Sequence, residues 1–351
     1  MWYRILRPEG QGKRTCRFSV AGSVLRLLAV LLLPGLAAAS GTLNAQDGNP
    51  DEGGGSEEAL FLLLPVGAQG IGLGRAVTAL ANEEGAFWNP AGLAAETDRR
   101  VFLYRGDQLA GEATAFSVLL PWRRVGTFAL SYLLLDIGDQ DLRDEFGDVL
   151  GAISIRNHLA VASYATSLPC CIDDGINMKL VQFRVACRGQ CNDLDTRSSA
   201  YALDAGIQAQ PFPDVPLRFG WMLAHAGTEF QVVNQEQSDP LPTRVRLAVA
   251  FEALNRIVDE VPMDLWVTVE VEERTRNPGS PSLYAGMDFS AAGLFHLRAG
   301  YVAGKYDQTN GASVGVGFSV DRFDLNFAKS LTRSMVTGES QPIHVTLAAT
   351  F

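Results

Sequence analysis

From Val101 to the last residue, run after run of the chain alternates apolar and polar side chains with a period of two. That spacing puts successive side chains on opposite faces of an extended strand, and it leaves almost no room for helices. In 263–271, Leu265, Val267, Val269 and Val271 share one face, while Asp264, Trp266, Thr268 and Glu270 share the other. In 312–320, Val314, Val316, Phe318 and Val320 oppose Ser313, Gly315, Gly317 and Ser319. The same pattern recurs in 293–302, where Phe295, Leu297, Ala299 and Tyr301 stand against His296, Arg298 and Gly300.

Such runs lie near 101–105, 113–120, 124–135, 149–167, 175–186, 199–210, 216–224, 243–253, 262–271, 282–290, 293–302, 311–320, 322–331 and 341–351. They amount to about fourteen strands, many with roughly the 9–11 residues that a tilted transmembrane strand needs. Their connections sort by length. Short turns (Trp122-Arg123, 211–215, Ala291-Ala292, Asp321-Arg322) follow the even strands, and longer polar loops (136–148, 225–242, 272–281, 332–340) follow the odd ones. Short turns on one rim and long loops on the other describe a transmembrane barrel with short periplasmic turns and longer external loops. In hydrocarbon every backbone N–H and C=O must be paired internally, so a sheet can span only if it closes on itself. The fold class is therefore all-β, a transmembrane antiparallel β-barrel over 101–351, with a secreted two-sheet β protein as the alternative.

The last strand carries Ile343, Val345, Leu347, Ala349 and the terminal Phe351 on one face, with His344, Thr346, Ala348 and Thr350 on the other. Phe351 resembles the signal by which outer-membrane barrels reach their assembly machinery. Outer-membrane lipid and that machinery are thus the expected partners.

The N-terminal region has no such alternation. Arg4, Arg7, Lys13, Arg14, Arg17 and Arg26 stand against Glu9 and precede an apolar run at 27–33 and an alanine-rich exit. That order is expected of a cleaved signal peptide, 1–45; the run is shorter than the ~20 residues a spanning helix needs. Residues 46–60 open with glycines and acids and are expected to be a flexible leader. The whole chain has 29 Lys and Arg against 39 Asp and Glu, a net charge of −10 that repels phosphate backbones, so no nucleic-acid partner is expected.

Residues 61–100 are expected to form a short helical hatch inside the barrel. Gly70, Gly72 and Gly74 precede Arg75, and Trp88, Asn89, Pro90 and Gly92 follow the acids Glu83 and Glu84. The glycine spacing is not that of a dinucleotide loop. Small residues let backbone pass close to backbone, as a segment threading a bore must. Gly70-x-Gly72-Leu73-Gly74-Arg75-Ala76, the acid pair and Trp88-Asn89-Pro90-Ala91-Gly92-Leu93-Ala94 resemble the PorV/PorQ family of outer-membrane proteins. More remotely, Gly72-Leu73-Gly74-Arg75-Ala76 and Asn89-Pro90-Ala91 resemble the N-terminal hatch of FadL-type fatty-acid transporters. The resemblance implies a fourteen-stranded barrel with its hatch inside. It also implies one of two roles: a conduit or binder for hydrophobic small molecules, or a component of type IX protein secretion that docks exported cargo and meets secretion-system proteins.

Inward-facing charges, Asp264, Glu270, Arg298, Asp324 and Lys329, are expected to pair with one another or with Arg75, Glu83 and Glu84 and so hold the hatch in place. After the signal peptide come Cys170, Cys171, Cys187 and Cys191. In an oxidising compartment a local Cys187–Cys191 disulfide is expected, with free thiols as the alternative. The strand at 175–186 separates the two pairs by roughly 30 Å at about 3.3 Å per residue, so no four-thiolate metal site is expected. His158, His225, His296 and His344 are scattered as lumen or loop residues. No nucleophile elbow, zinc-protease motif or phosphate loop occurs, so neither an enzyme nor a cofactor is expected.

Overall fold

The computed structural model describes residues 59–108, 111–169, 171–190, 195–212, 214–231, 238–258, 261–276, 278–304, 310–332 and 342–351. The expected signal peptide and residues 46–58 of the leader lie outside them. Ala59 and Leu60, assigned to the leader on sequence, already belong to ordered structure, because a 3₁₀ turn spans Leu60–Leu63.

Fourteen strands form one closed barrel. They are β1 (Arg100–Gln108), β2 (Gly111–Trp122), β3 (Gly126–Arg143), β4 (Val149–Leu168), β5 (Ile172–Gly189), β6 (Thr196–Ala209) and β7 (Leu217–Gly227). Then follow β8 (Arg244–Val258), β9 (Val261–Arg274), β10 (Ser282–Ala291), β11 (Phe295–Ala303), β12 (Gly311–Val320), β13 (Phe323–Ser330) and β14 (Ile343–Thr350). Each pairs antiparallel with its sequence neighbour, and β14 closes on β1 with Leu103 opposite Leu347 and Arg105 opposite Val345. A small ribbon, Phe230–Gln231 paired with Ser238–Asp239, stands in the β7–β8 loop.

The alternation read from the sequence is the alternation of the wall. Leu130, Tyr132, Met178, Tyr201, Val269 and Tyr301 stand exposed on the outside, while their neighbours Ala129, Ser131, Asn177, Ala200, Thr268 and Val302 are buried inside. A continuous outer belt of large apolar side chains is what a membrane-spanning barrel presents and what a water-soluble one avoids. No helix among the described residues is long and apolar enough to cross a membrane.

The walls differ in height. β3, β4 and β5 have 18, 20 and 18 residues, whereas β13 and β14 have 8 each. Much of the expected loop 136–148 is strand: Asp139 to Arg143 pairs with Val149 to Ser154 across two register shifts. Those residues carry no apolar period because both of their faces meet water. The loop sorting holds only in part, since two residues separate β1 from β2 and the β6–β7 connection, 210–216, is longer than the β3–β4 connection, 144–148.

Candidate functional site

Residues 59–99 fill the bore. Helix α1 (Ala68–Gly72) and a second 3₁₀ turn (Pro90–Ala95) are its ordered hatch elements. Pro90 at the first position of that turn supplies the right φ, and Asn89 caps it by accepting from the Ala91 N–H at 3.1 Å. Both elements are short, so the wall must satisfy much of the hatch backbone.

It does so with polar side chains aimed inward. Glu270 accepts from the Thr78 backbone N–H at 2.9 Å and from its hydroxyl at 2.8 Å. Gln208 donates to the carbonyls of Thr78 and Leu80 at 2.9 and 2.8 Å, and Asn177 donates to that of Ala86 at 3.0 Å. The Ala68 N–H donates to Thr346 Oγ1 at 2.8 Å. Behind Glu270, Arg246 approaches it at 3.6 Å, bonds Glu272 at 2.5 Å and lies over the Trp88 ring at 5.5 Å.

The motif residues converge within the hatch. Trp88 donates Nε1–H to the Val66 carbonyl at 2.8 Å, and its indole covers Gly70 so closely that a Cβ there would sit 2.6 Å from the ring. Asn89 Nδ2 donates to the Thr78 carbonyl at 2.7 Å. Gly72 lies against Gly315 and Arg298, and Gly92 against the Leu80 carbonyl. Gly74 and Arg75 both have positive φ, 59° and 68°, which turns the chain sharply after α1. The wall answers with glycines that the sequence reading did not single out. A Cβ on Gly300 would come 2.0 Å from Gly74 N, and one on Gly220 would come 2.4 Å from Thr78 O. Gly175, Gly206 and Gly286 meet Pro90, Asn89 and Leu73 in the same way.

The expected charges are only partly where the sequence put them. Glu270 and Arg298 are buried inward, and Asp264 and Asp324 are half-buried on the inner face. Arg298 bonds Asp288 at 3.1 Å and Asn326 at 2.7 Å, and Asp264 accepts from Ser290 at 3.3 Å. The residue that gathers hatch acids is Arg100 of β1, which meets Glu83 at 2.7 Å, Glu96 at 3.3 Å and Asp324 at 3.4 Å. Lys329 corrects the expectation. It lies opposite Val314 and Ile343, on the exposed outer face, because it stands five positions after Asp324 and an odd step reverses the face.

Among the described residues Glu84 forms no ion pair either. Its carboxylate accepts from the backbone N–H groups of Gln69 and Gly70 at 3.0 and 2.9 Å. Burial pushes its pKa up to about 7 against the pull of those two donors. Glu96 is likewise raised to about 7, by burial opposed by Arg100.

Above this seat the β1–β6 side of the bore is apolar, while the Lys179–Asp204 ion pair at 2.6 Å and the buried His225, Arg244 and Glu272 keep the rest of it polar. Phe102, Tyr104, Ala113, Ala115, Leu133 and Leu159 belong to one buried cluster with Val161, Val181, Ala200 and Ala202. Phe230 and Leu241 from the β7–β8 loop join it from the long-loop side. The chain's own Phe61 and Leu62 belong to the same cluster. The sequence signal was the run Leu60 to Leu64, which is apolar but too short to announce a partner.

Cys187 is disulfide-bonded, and Cys170 and Cys191 lie outside the described residues. Among the described residues no group of three or more His, Cys, Asp or Glu side chains could hold a metal ion. Phe351 is exposed at the short-turn rim, where its N–H donates to the Arg99 carbonyl at 3.0 Å.

No protein-family model matches the chain and no curated protein matches its sequence, so the PorV/PorQ resemblance of 65–94 rests on that segment alone. Solved structures share the architecture, among them these two. The toluene transporter TbuX of Ralstonia pickettii is 11% identical, with a TM-score of 0.52 over 81% of this chain and 98% of that one. A FadL homologue of Pseudomonas aeruginosa is 12% identical, with a TM-score of 0.50 over 82% and 98%. At such identities the likeness is one of fold: the chain is a closed fourteen-stranded barrel, hatch inside, of the kind seen in FadL-like transporters.

Proposed function

We propose that the protein is an outer-membrane conduit for hydrophobic small molecules. The observation that carries this reading is the composition of the bore. An apolar cluster lines the β1–β6 side of the bore toward the long loops, with a few buried polar groups opposite it, and a hatch held by polar side chains lies beneath. A water-filled porin lines its lumen with polar groups, whereas a pocket for a greasy ligand is apolar with a few polar fixtures. The fold shared with a toluene transporter and a FadL homologue supports the same class of cargo. In this reading Phe61 and Leu62 occupy the compartment until a ligand of similar polarity displaces them. Nothing in the bore favours a cargo-docking role in protein secretion.

Binding of a fluorescent long-chain fatty acid and of toluene to the detergent-solubilised barrel tests the reading. Phe61→Ala with Leu62→Ala removes the internal occupant and should tighten binding. Ala113→Phe with Ala200→Phe fills the compartment and should weaken it at least tenfold. Absence of saturable binding to the wild type, or indifference to both pairs, would end the proposal.

A further inference from the structure

The outer face of β3–β6 carries a feature unrelated to the bore. Cross-strand register places its residues in rows: Phe128, Tyr164, Ile176 and Ala205, then Leu130, Ala162, Met178 and Leu203, then Tyr132, Ala160, Leu180 and Tyr201. These rows belong to the apolar belt, and the last ends it toward the long-loop rim with two tyrosines, as aromatic girdles do. The next row is Leu134, His158, Gln182 and Ser199, and the one beyond is Asp136, Arg156, Arg184 and Arg197. Three guanidinium groups thus stand side by side on adjacent strands, all exposed.

Directly opposed like charges destabilise a sheet, with neighbours about 5 Å apart at Cβ. Asp136 relieves one end by accepting from Arg156 Nε at 2.8 Å. Gln182, with its amide oxygen turned toward Arg197, accepts from Nη2 at 2.8 Å and from Nε at 3.0 Å. Among the described residues no ion pair to a carboxylate is formed by Arg184 or Arg197. Past Asp136 the same row continues into Glu112, so the positive charge is confined to the β4–β6 sector.

Depth identifies the ligand. The arginine row lies four residues beyond the tyrosines, ~13 Å along the strand and nearer ~10 Å along the membrane normal at a tilt of about 40°. The headgroup layer is about 5–7 Å thick on each side, so the backbone of this row lies just past its outer edge and the flexible arginine side chains reach back to its phosphates. Planar guanidiniums that lack carboxylate partners fit phosphate oxygens in bidentate fashion. We propose that Arg184 and Arg197, with Arg156, bind the phosphate groups of a phosphorylated glycolipid in the membrane leaflet at the long-loop rim.

The experiment titrates purified barrel in zwitterionic detergent with diphosphorylated lipid A, dephosphorylated lipid A and inorganic phosphate, counting bound lipid by native mass spectrometry. The wild type should retain diphosphorylated lipid A, and Arg184→Gln with Arg197→Gln should retain at least tenfold less. Arg123→Gln with Arg124→Gln, on the β2–β3 turn at the opposite rim, should retain as much as the wild type. If the double variant does not fold, as judged by heat-modifiable gel mobility, the single variants carry the comparison. Equal retention by the arginine variants, equal binding of dephosphorylated lipid, or displacement by equimolar inorganic phosphate each overturns the proposal.

Discussion

Glu270 of β9 receives both the backbone N–H and the hydroxyl of Thr78, so a single carboxylate in the wall fixes the middle of the hatch. The same carboxylate faces Arg246, which keeps its closer partner Glu272 if Glu270 is lost. Removing the acceptor leaves the buried Thr78 N–H and hydroxyl without their partner, at about 1–3 kcal/mol each. Glu270→Ala should therefore release the hatch while leaving the barrel's own ladder intact. The expected outcome in a planar bilayer is frequent large conductance steps where the wild type is closed, with unchanged heat-modifiable mobility. A variant as silent as the wild type would show that the hatch is held elsewhere.

The glycines of the wall give a second handle. Gly300 and Gly220 admit the hatch backbone so closely that any side chain would collide with Gly74 N or Thr78 O, and backbone does not yield as a side-chain tip does. Gly300→Val should expel the segment around Gly74 while the strand gains β-propensity. Limited proteolysis should then cut between residues 60 and 99 at least tenfold faster than in the wild type, leaving the barrel uncut.

These positions also mark what was legible in the sequence. Outward-facing Leu, Val, Phe and Tyr write the period of two, so β10 and β12 lie within a residue or so of the expected 282–290 and 311–320. Hatch glycines were legible because Gly70, Gly72 and Gly74 cluster. Gly175, Gly206 and Gly220 were not, because an isolated glycine in a strand carries no mark of what approaches it. Arg100 was missed since it stands where hatch becomes strand, and its three acidic neighbours meet it only through closure of the barrel. The upper part of β3 was unreadable for a different reason: a strand wetted on both faces has no apolar stripe.

Cys187 bears on the loop that follows β5. The sequence favours Cys191 as its partner, and a four-residue step suits a local bridge that stiffens the turn. Alkylation of the unfolded protein without reductant, followed by intact-mass measurement, should leave Cys187 and Cys191 unmodified. Alkylation of both before reduction would rule the pairing out.

Acidity should tighten the hatch. Glu84 and Glu96 are each raised from 4.5 to about 7 by burial, so the seated hatch holds protons that the released one gives up. For a raised carboxyl pKa, the unfolded or released state binds fewer protons, and stability falls as pH rises between the two values. The contribution is therefore fully present below about pH 4.5 and lost as pH passes through about 7. Between these limits each unit of pH weakens seating by up to ~1.4 kcal/mol per group. Hydrogen exchange at the amides of Gln69 and Gly70, which donate to Glu84, should accelerate from pH 5 to pH 8 beyond the intrinsic base catalysis. Glu84→Gln should flatten most of that excess, and an unchanged slope in this variant would show that the carboxyl does not govern the seat.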